Sequence, residues 1–192
     1  LDDEGRQREE SVEWPVDDFL EERPERATVE LEGRPVLLRA WRYTVKGVNG
    51  FIVPVYLLDT DLQENAPEDR ALTHFLYGGD QRYRLCQEAV LGIGGARMLS
   101  VLGHKVIERF HMNEGHASLL TLELLERLAR GKKDTIGHEE IDLVRRKCVF
   151  TTHTPIPAGH DQFPLDLVKR VIGKHVFERP ELKEIFCCGD VL

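Results

Sequence analysis

The sequence predicts an α/β fold, with a β-rich antiparallel segment over residues 1–62 and an α/β portion over 63–192. Three observations carry that prediction. Residues 28–60, "TVELEGRPVLLRAWRYTVKGVNGFIVPVYLLDT", are rich in Val, Leu, Tyr and Trp and are broken by glycine-bearing turns, the pattern of short paired strands. From residue 81 the apolar period lengthens, and helical stretches alternate with short apolar runs, which argues for a parallel sheet with helical crossovers. Two of those runs, 105–110 and 148–153, end in histidine-bearing polar clusters, "HMNEGH" and "TTHTP".

Taken in order, residues 1–28 are acidic and polar, and Trp14-Pro15 and "ERPER" oppose a helix there. Strands are expected at 28–32, 36–45 and 51–58, separated by Gly33-Arg34-Pro35 and Gly47-Val48-Asn49-Gly50. "NAPEDR" (65–70) and "YGGD" (77–80) carry loop chemistry. Leu85, Val90, Leu91, Ile93, Met98, Leu99 and Leu102 recur at helical spacing over 81–102, and Gly103 supplies a C-cap. "KVIERF" (105–110) reads as a buried strand. "EGHASLLTLELLERLARG" (114–131) reads as an amphipathic helix with basic residues and glycine at its end. A helix at 137–147, a strand at 148–153, and helices at 163–176 and 179–186 complete the alternation.

Bulk properties narrow the function. The chain of 192 residues is long enough for one domain with a real core. Its net charge of −8 and pI near 5.5 oppose a nucleic-acid or anionic-membrane partner. No apolar run approaches the roughly 20 residues of a membrane-spanning helix, and no signal-like start is present. Cys86, Cys148, Cys187 and Cys188 show no CxxC spacing, so unpaired thiols in a reducing cytoplasm are expected. The first residue is not Met and the last residues follow an apolar stretch, so a piece of a longer protein is expected.

"LGIGGARML" (91–99) begins like a dinucleotide fingerprint, but Arg97 stands where the third glycine would be and no apolar strand precedes it. It reads as a helix whose glycines permit close packing. In "FHMNEGHASLL", Asn113 could cap the following helix with Glu114 in its positive first turn. His111 and His116 could instead hold zinc, although they are five apart and the stretch is not HExxH. The third possibility is a ligand-facing site, because ligands of open α/β sheets gather beyond the carboxyl ends of strands. Pro155 and Pro157 stiffen the segment after His153, and Thr154, His160 and Asp161 lie beside it. Two such clusters on one rim strengthen each other. No GxSxG elbow or P-loop occurs, and Cys148 sits inside a strand, which opposes cysteine nucleophily.

Four stretches in order, "LLDTDLQENAPEDRALTHFLYGGDQRYRLCQEAVLGIGGARML", "FHMNEGHASLLTLELL", "CVFTTHTPIPAGHDQFP" and, more weakly, "LDDEGRQREESVEWP", resemble the α-glucan phosphorylases (the glycogen, starch and maltodextrin phosphorylase family), nearer to the shorter bacterial and archaeal branch. The resemblance implies part of the N-terminal, Rossmann-like lobe of a GT-B fold. It implies α-1,4-glucan and inorganic phosphate as substrates, glucose 1-phosphate as product, and pyridoxal phosphate as cofactor. His153 then matches the residue at the terminal glucosyl unit, where an oxocarbenium-like transition state forms. Asn113, Glu114, His116, Thr154 and Asp161 would line the same sugar pocket. No metal ion is implied. The family's Gly-rich phosphate-facing segment and the cofactor-binding C-terminal lobe, with its lysine, lie outside this sequence, so the piece alone is expected to be inactive. A non-catalytic carbohydrate-binding or regulatory piece of the same ancestry is the alternative. A metal-dependent hydrolase using His111, His116 and His153 is a third. Exposed sheet edges make self-association, and hence a homo-oligomer, a further expectation.

Overall fold

The computed structural model describes residues 3–6, 15–76, 78–130, 136–155 and 161–173, with positions 182, 186 and 192. It is α/β, with a three-stranded antiparallel sheet and a two-stranded parallel one. The antiparallel sheet has the order β1 (Glu21–Leu31), β2 (Arg34–Lys46), β3 (Ile52–Asp59). The expected strands are present, and β1 begins well before residue 28. The "ERPER" stretch opposes a helix but not an edge strand. Pro24 lies in β1 where the pairing slips, between Glu22 and Arg26, so its missing N–H interrupts no regular ladder. Glu32 and Gly33 join β1 to β2 with φ of 52° and 73°, the two positive values that a tight two-residue hairpin requires.

One face of this sheet is apolar and buried through Val29, Leu31, Val36, Leu38 and Ala40. It packs on α2 (Gln81–Ala89) and α3 (Gly95–Val101), which follow the short α1 (Pro67–Arg70). The helical run expected over 81–102 is present, but Val90–Gly94 between α2 and α3 is wound as a π-helix. Its glycines explain the close approach. A Cβ on Gly92 would lie 2.7 Å from the Leu120 amide nitrogen, and one on Gly94 would collide with Leu38 Cδ1. Gly103 ends the run with φ of 94°.

The parallel sheet pairs β4 (Phe110–Asn113) with β5 (Cys148–Thr151), and α4 (Leu120–Ala129) and α5 (His138–Lys147) cross between them. Glu140 of α5 accepts a hydrogen bond from the Gly137 amide at 2.9 Å. The helix after β5 is α6 (Leu165–Ile172), shorter than the expected 163–176. Most of the helix expected at 179–186 lies outside the described residues, as does His160.

Two sequence expectations are corrected. Residues 105–109 are not a strand; Val106 is 91% exposed, and pairing begins at Phe110. The short alternation Phe-His-Met-Asn, with only Met112 fully buried, outweighs the apolar run before it. No α-helix starts at 114; a 3-10 turn over Gly115–Ala117 precedes α4. The register advances Asn113 onto the last paired position of β4, opposite Thr151.

Cys86 is buried and Cys148 half-buried, and both are free thiols. Burial pushes the Cys86 thiol up to about 11 and also raises Cys148, which makes both poor nucleophiles. Among the described residues no helix is long and apolar enough to cross a membrane.

Candidate active site at the ends of two parallel strands

β4 and β5 run in parallel, so their carboxyl ends bring residues 113–116 and 151–154 to one rim. Glu114 joins them. Its backbone has φ of 60° and ψ of −172°, a costly conformation for a residue with a Cβ. Its amide donates to the Thr151 carbonyl at 2.8 Å, so the strand pairing extends one residue beyond Asn113.

The Glu114 side chain is 7% exposed and turns toward the β5 loop. Oε1 accepts from the His153 amide at 2.5 Å, the Thr154 amide at 3.1 Å and Thr154 Oγ1 at 3.2 Å, and Oε2 accepts from Thr152 Oγ1 at 3.0 Å. The His153 amide is the strongest of the bonds that hold this carboxyl below the usual carboxylate range; burial opposes them. Glu114 is therefore an anion that fixes the "TTHT" loop. It is neither a first-turn helix residue nor the partner of a cap.

Asn113 takes up a different task from capping. Its Oδ1 accepts from His153 Nε2 at 2.6 Å. A carbonyl oxygen accepts only, so Nε2 is the donor in this contact and Nδ1 is the ring atom left for a ligand. His153 is exposed, which leaves that face of the ring open to a ligand. His111 Nε2 bonds Thr151 Oγ1 at 2.7 Å.

His116 faces the other way, toward α2. Its Nδ1 lies 3.6 Å from Glu88 Oε1 and 3.8 Å from Asp161 Oδ2. Arg84, one turn before Glu88 on α2, is ion-paired with Asp161 through the same Oδ2. Burial, the hydrogen bond to Asp161 and the Asp161 charge together push Glu88 up to about 8. Burial also acts to raise Asp161, but hydrogen bonds from Arg84 and Glu88 outweigh it and hold Asp161 below its ordinary value.

The six sequence-predicted site residues fall into two groups. Asn113, Glu114, His153 and Thr154 form the first, and His116 and Asp161 the second. The sequence reading passed over Arg84 and Glu88 in the second group. The signal was an arginine and a glutamate at i, i+4, which share one helix face. Glu88, His116 and Asp161 are the one described trio whose ligand atoms fall within 4.8 Å of one another, but the Arg84 guanidinium already neutralises Asp161. His111, His116 and His153 form no such trio among the described residues.

Beside the second group lies a cavity of about 520 Å³. Tyr56, Leu58, Phe75 and Leu91 supply apolar lining, and Arg84, Glu88 and His116 supply its polar end. No lysine lines it, and Arg84 is already engaged with Asp161. This cavity therefore offers an aldehyde-bearing phosphate cofactor neither an amine nor an uncommitted guanidinium among the described residues.

No family model matches the chain. Curated relatives do. A maltodextrin phosphorylase of Thermococcus litoralis is 35% identical over 189 residues, 94% of this chain and 22% of the relative. A glycogen phosphorylase of Mycobacterium tuberculosis is 43% identical over 130 residues, 63% of this chain and 14% of the relative. A glycogen phosphorylase of Aquifex aeolicus is 36% identical over 115 residues, 60% of this chain and 16% of the relative. The chain spans less than a quarter of the length of each of these three relatives. The rim motifs and these likenesses agree: the chain is a homologue of part of the glycogen and maltodextrin phosphorylases.

Proposed function

We propose that this chain is a segment of the N-terminal, GT-B-type lobe of an α-glucan phosphorylase and supplies one wall of its active site. The observation that carries the reading is the pairing of His153 with Asn113 on a loop locked by Glu114, at the shared end of two parallel strands. The parent protein would cleave α-1,4-glucan with inorganic phosphate and release glucose 1-phosphate in the cytoplasm. His153 would meet the terminal glucosyl unit with its exposed ring and its rigid backbone. Thr154 would sit beside it, and His116 and Asp161 would bound the pocket toward α2. Oriented neutral and anionic oxygens suit a sugar ring that develops positive charge in the transition state. The carboxylate of Glu114 acts through the loop, since its oxygens already accept four hydrogen bonds.

Pyridoxal phosphate would be held by the remainder of the parent, which would also provide its lysine; no step of the chemistry proposed for these residues passes through it. The piece alone is inactive on this reading. The outward face of the β2–β3 hairpin, with Tyr43, Val45, Val53 and Val55 all exposed, is available for contact with the rest of the parent or with a second copy.

Incubating the full-length parent with maltoheptaose and inorganic phosphate tests this reading. Release of glucose 1-phosphate is expected, and a His153→Ala variant is expected to abolish it. A parent that binds the glucan but never forms glucose 1-phosphate would instead be a non-catalytic carbohydrate-binding protein of the same ancestry.

A further inference from the structure

Glu88 and Asp161 bring carboxyl oxygens within 4.8 Å of each other and of a His116 ring nitrogen. Two ionised carboxylates this close in a buried place repel each other, which favours a proton on one of them. The surroundings decide which group holds it. Glu88 is 7% exposed, its Oε1 is buried, and no N–H or O–H among the described residues donates to that atom. An anion there would lack both water and donors, at a heavy cost. Asp161 is more open and has the Arg84 guanidinium on Oδ2, with His116 Nδ1 nearby. The charged groups facing Glu88 are Arg84 from its own helix, His116 from the 3-10 turn and Asp161 from the segment before α6. Among the described residues the guanidinium of this cluster, Arg84, sits on Asp161. Asp161 is the anion and Glu88 the acid.

We propose that Glu88 is a positioning residue of this site, kept protonated so that its carboxyl group donates to Asp161 and holds that carboxylate against Arg84 and His116. The proton replaces a second cation. It lets two carboxyl groups and an imidazole share a space that one guanidinium neutralises. Loss of the proton would set two anions side by side in a buried place, and Asp161 would swing away toward solvent. The geometry of His116 and of the loop entering α6 would go with it. The effect on turnover rests on the phosphorylase reading; the protonation itself does not.

Two variants and one spectroscopic measurement in the full-length protein test this. Glu88→Gln keeps the shape and a donor toward Asp161, and Glu88→Ala removes both. At pH 7 the glutamine variant is expected to retain turnover within about threefold, and the alanine variant to lose about a hundredfold by misplacing Asp161. The wild-type rate is expected to decline above about pH 8, and that alkaline limb is expected to be absent from Glu88→Gln. The infrared difference spectrum of wild type minus Glu88→Gln at pH 7 should contain a protonated-carboxyl stretch that vanishes at higher pH. Absence of that band, or a glutamine variant as impaired as the alanine variant, overturns the proposal. If the parent makes no glucose 1-phosphate at all, the phosphorylase reading fails and the infrared band still decides the state of Glu88. If Glu88→Ala does not fold, Glu88→Gln and the band suffice.

Discussion

Glu114 and Glu88 are both 7% exposed, and both flank the 3-10 turn at Gly115–Ala117, yet they carry opposite protonation states. Two backbone amides and two hydroxyls donate to Glu114, and its pKa falls. Burial and the neighbouring Asp161 carboxyl push Glu88 up to about 8, and among the described residues no N–H or O–H donates to its buried Oε1. Donors outweigh burial at Glu114, whereas burial and a neighbouring carboxyl prevail at Glu88. The first glutamate ties two strand ends together as an anion. The second ties a helix to the loop before α6 as an acid.

The largest break in this comparison comes from Glu114→Gln. An amide presents one acceptor oxygen and one NH2 group, so its NH2 would face donors where Oε1 or Oε2 now accepts. The "TTHT" loop would be freed and His153 displaced. Turnover of the full-length parent, followed as glucose 1-phosphate release, is expected to fall by about 10² to 10³. The same substitution at Glu88 is nearly silent at pH 7 by the preceding argument, so the pair of variants contrasts the two residues directly. Unchanged turnover in Glu114→Gln would reduce that residue to a local backbone support.

The pH dependence of stability separates the two next. The folded pKa of Glu88 lies above its unfolded value, so between about pH 4.5 and 8 the native state holds a proton that the unfolded chain has released. Stability therefore falls as pH rises through that window, with a slope of at most about 1.4 kcal/mol per unit for one proton. Glu114 has the opposite sign. Its folded pKa is depressed, so its contribution is present above its ordinary value and is lost as the pH drops through the lowered one. Denaturant titrations of wild type and Glu88→Gln across pH 5 to 8 should show a slope in the former that is missing from the latter.

A smaller and more local break is Gly92→Ala. The new methyl would press on the Leu119 carbonyl carbon at 3.0 Å and the Leu120 amide at 2.7 Å, just after the turn that carries His116. Neither backbone can yield cheaply, so a loss of about 1 to 3 kcal/mol is expected in denaturant melts. The helix bearing Glu88 would be pushed from His116, while the Glu114 loop on the far side of the turn would keep its hydrogen bonds. Equal disturbance of both groups, read from histidine chemical shifts, would show that they are one unit rather than two.

How far the sequence foretells this arrangement depends on the range of the interactions involved. The β1–β3 hairpins and the glycine-packed helix are legible because their signals are local: period-2 apolar residues, a turn glycine, glycines spaced for close approach. The rim residues are legible because proline and polar clusters mark two strand ends. The start of β4 is not, since Val106 and Ile107 look buried in a linear reading whereas the pairing register is set by β5. The i, i+4 spacing of Arg84 and Glu88 marks a shared helix face but not their role, for a stronger reason. Nothing in their own helix shows that His116 and Asp161, from two other segments, will close on them. The unusual protonation of Glu88 exists only in that tertiary contact.

The smallest expected effect is that of Asn113→Ala, and it sharpens the first group of the comparison. Glu114 fixes the backbone of His153, and Asn113 fixes only its ring. Removing the amide deletes one exposed hydrogen bond of 2.6 Å, with a net stability loss of about 0.5 to 1.5 kcal/mol. The backbone position of His153 should persist, because its amide still donates to Glu114. The ring should lose its single tautomer, and nitrogen-resolved NMR of the full-length protein would show a mixture in place of protonated Nε2. A ring that keeps Nε2 protonated without Asn113 would mean that the Glu114 loop orients both backbone and side chain, and that the rim depends on one glutamate alone.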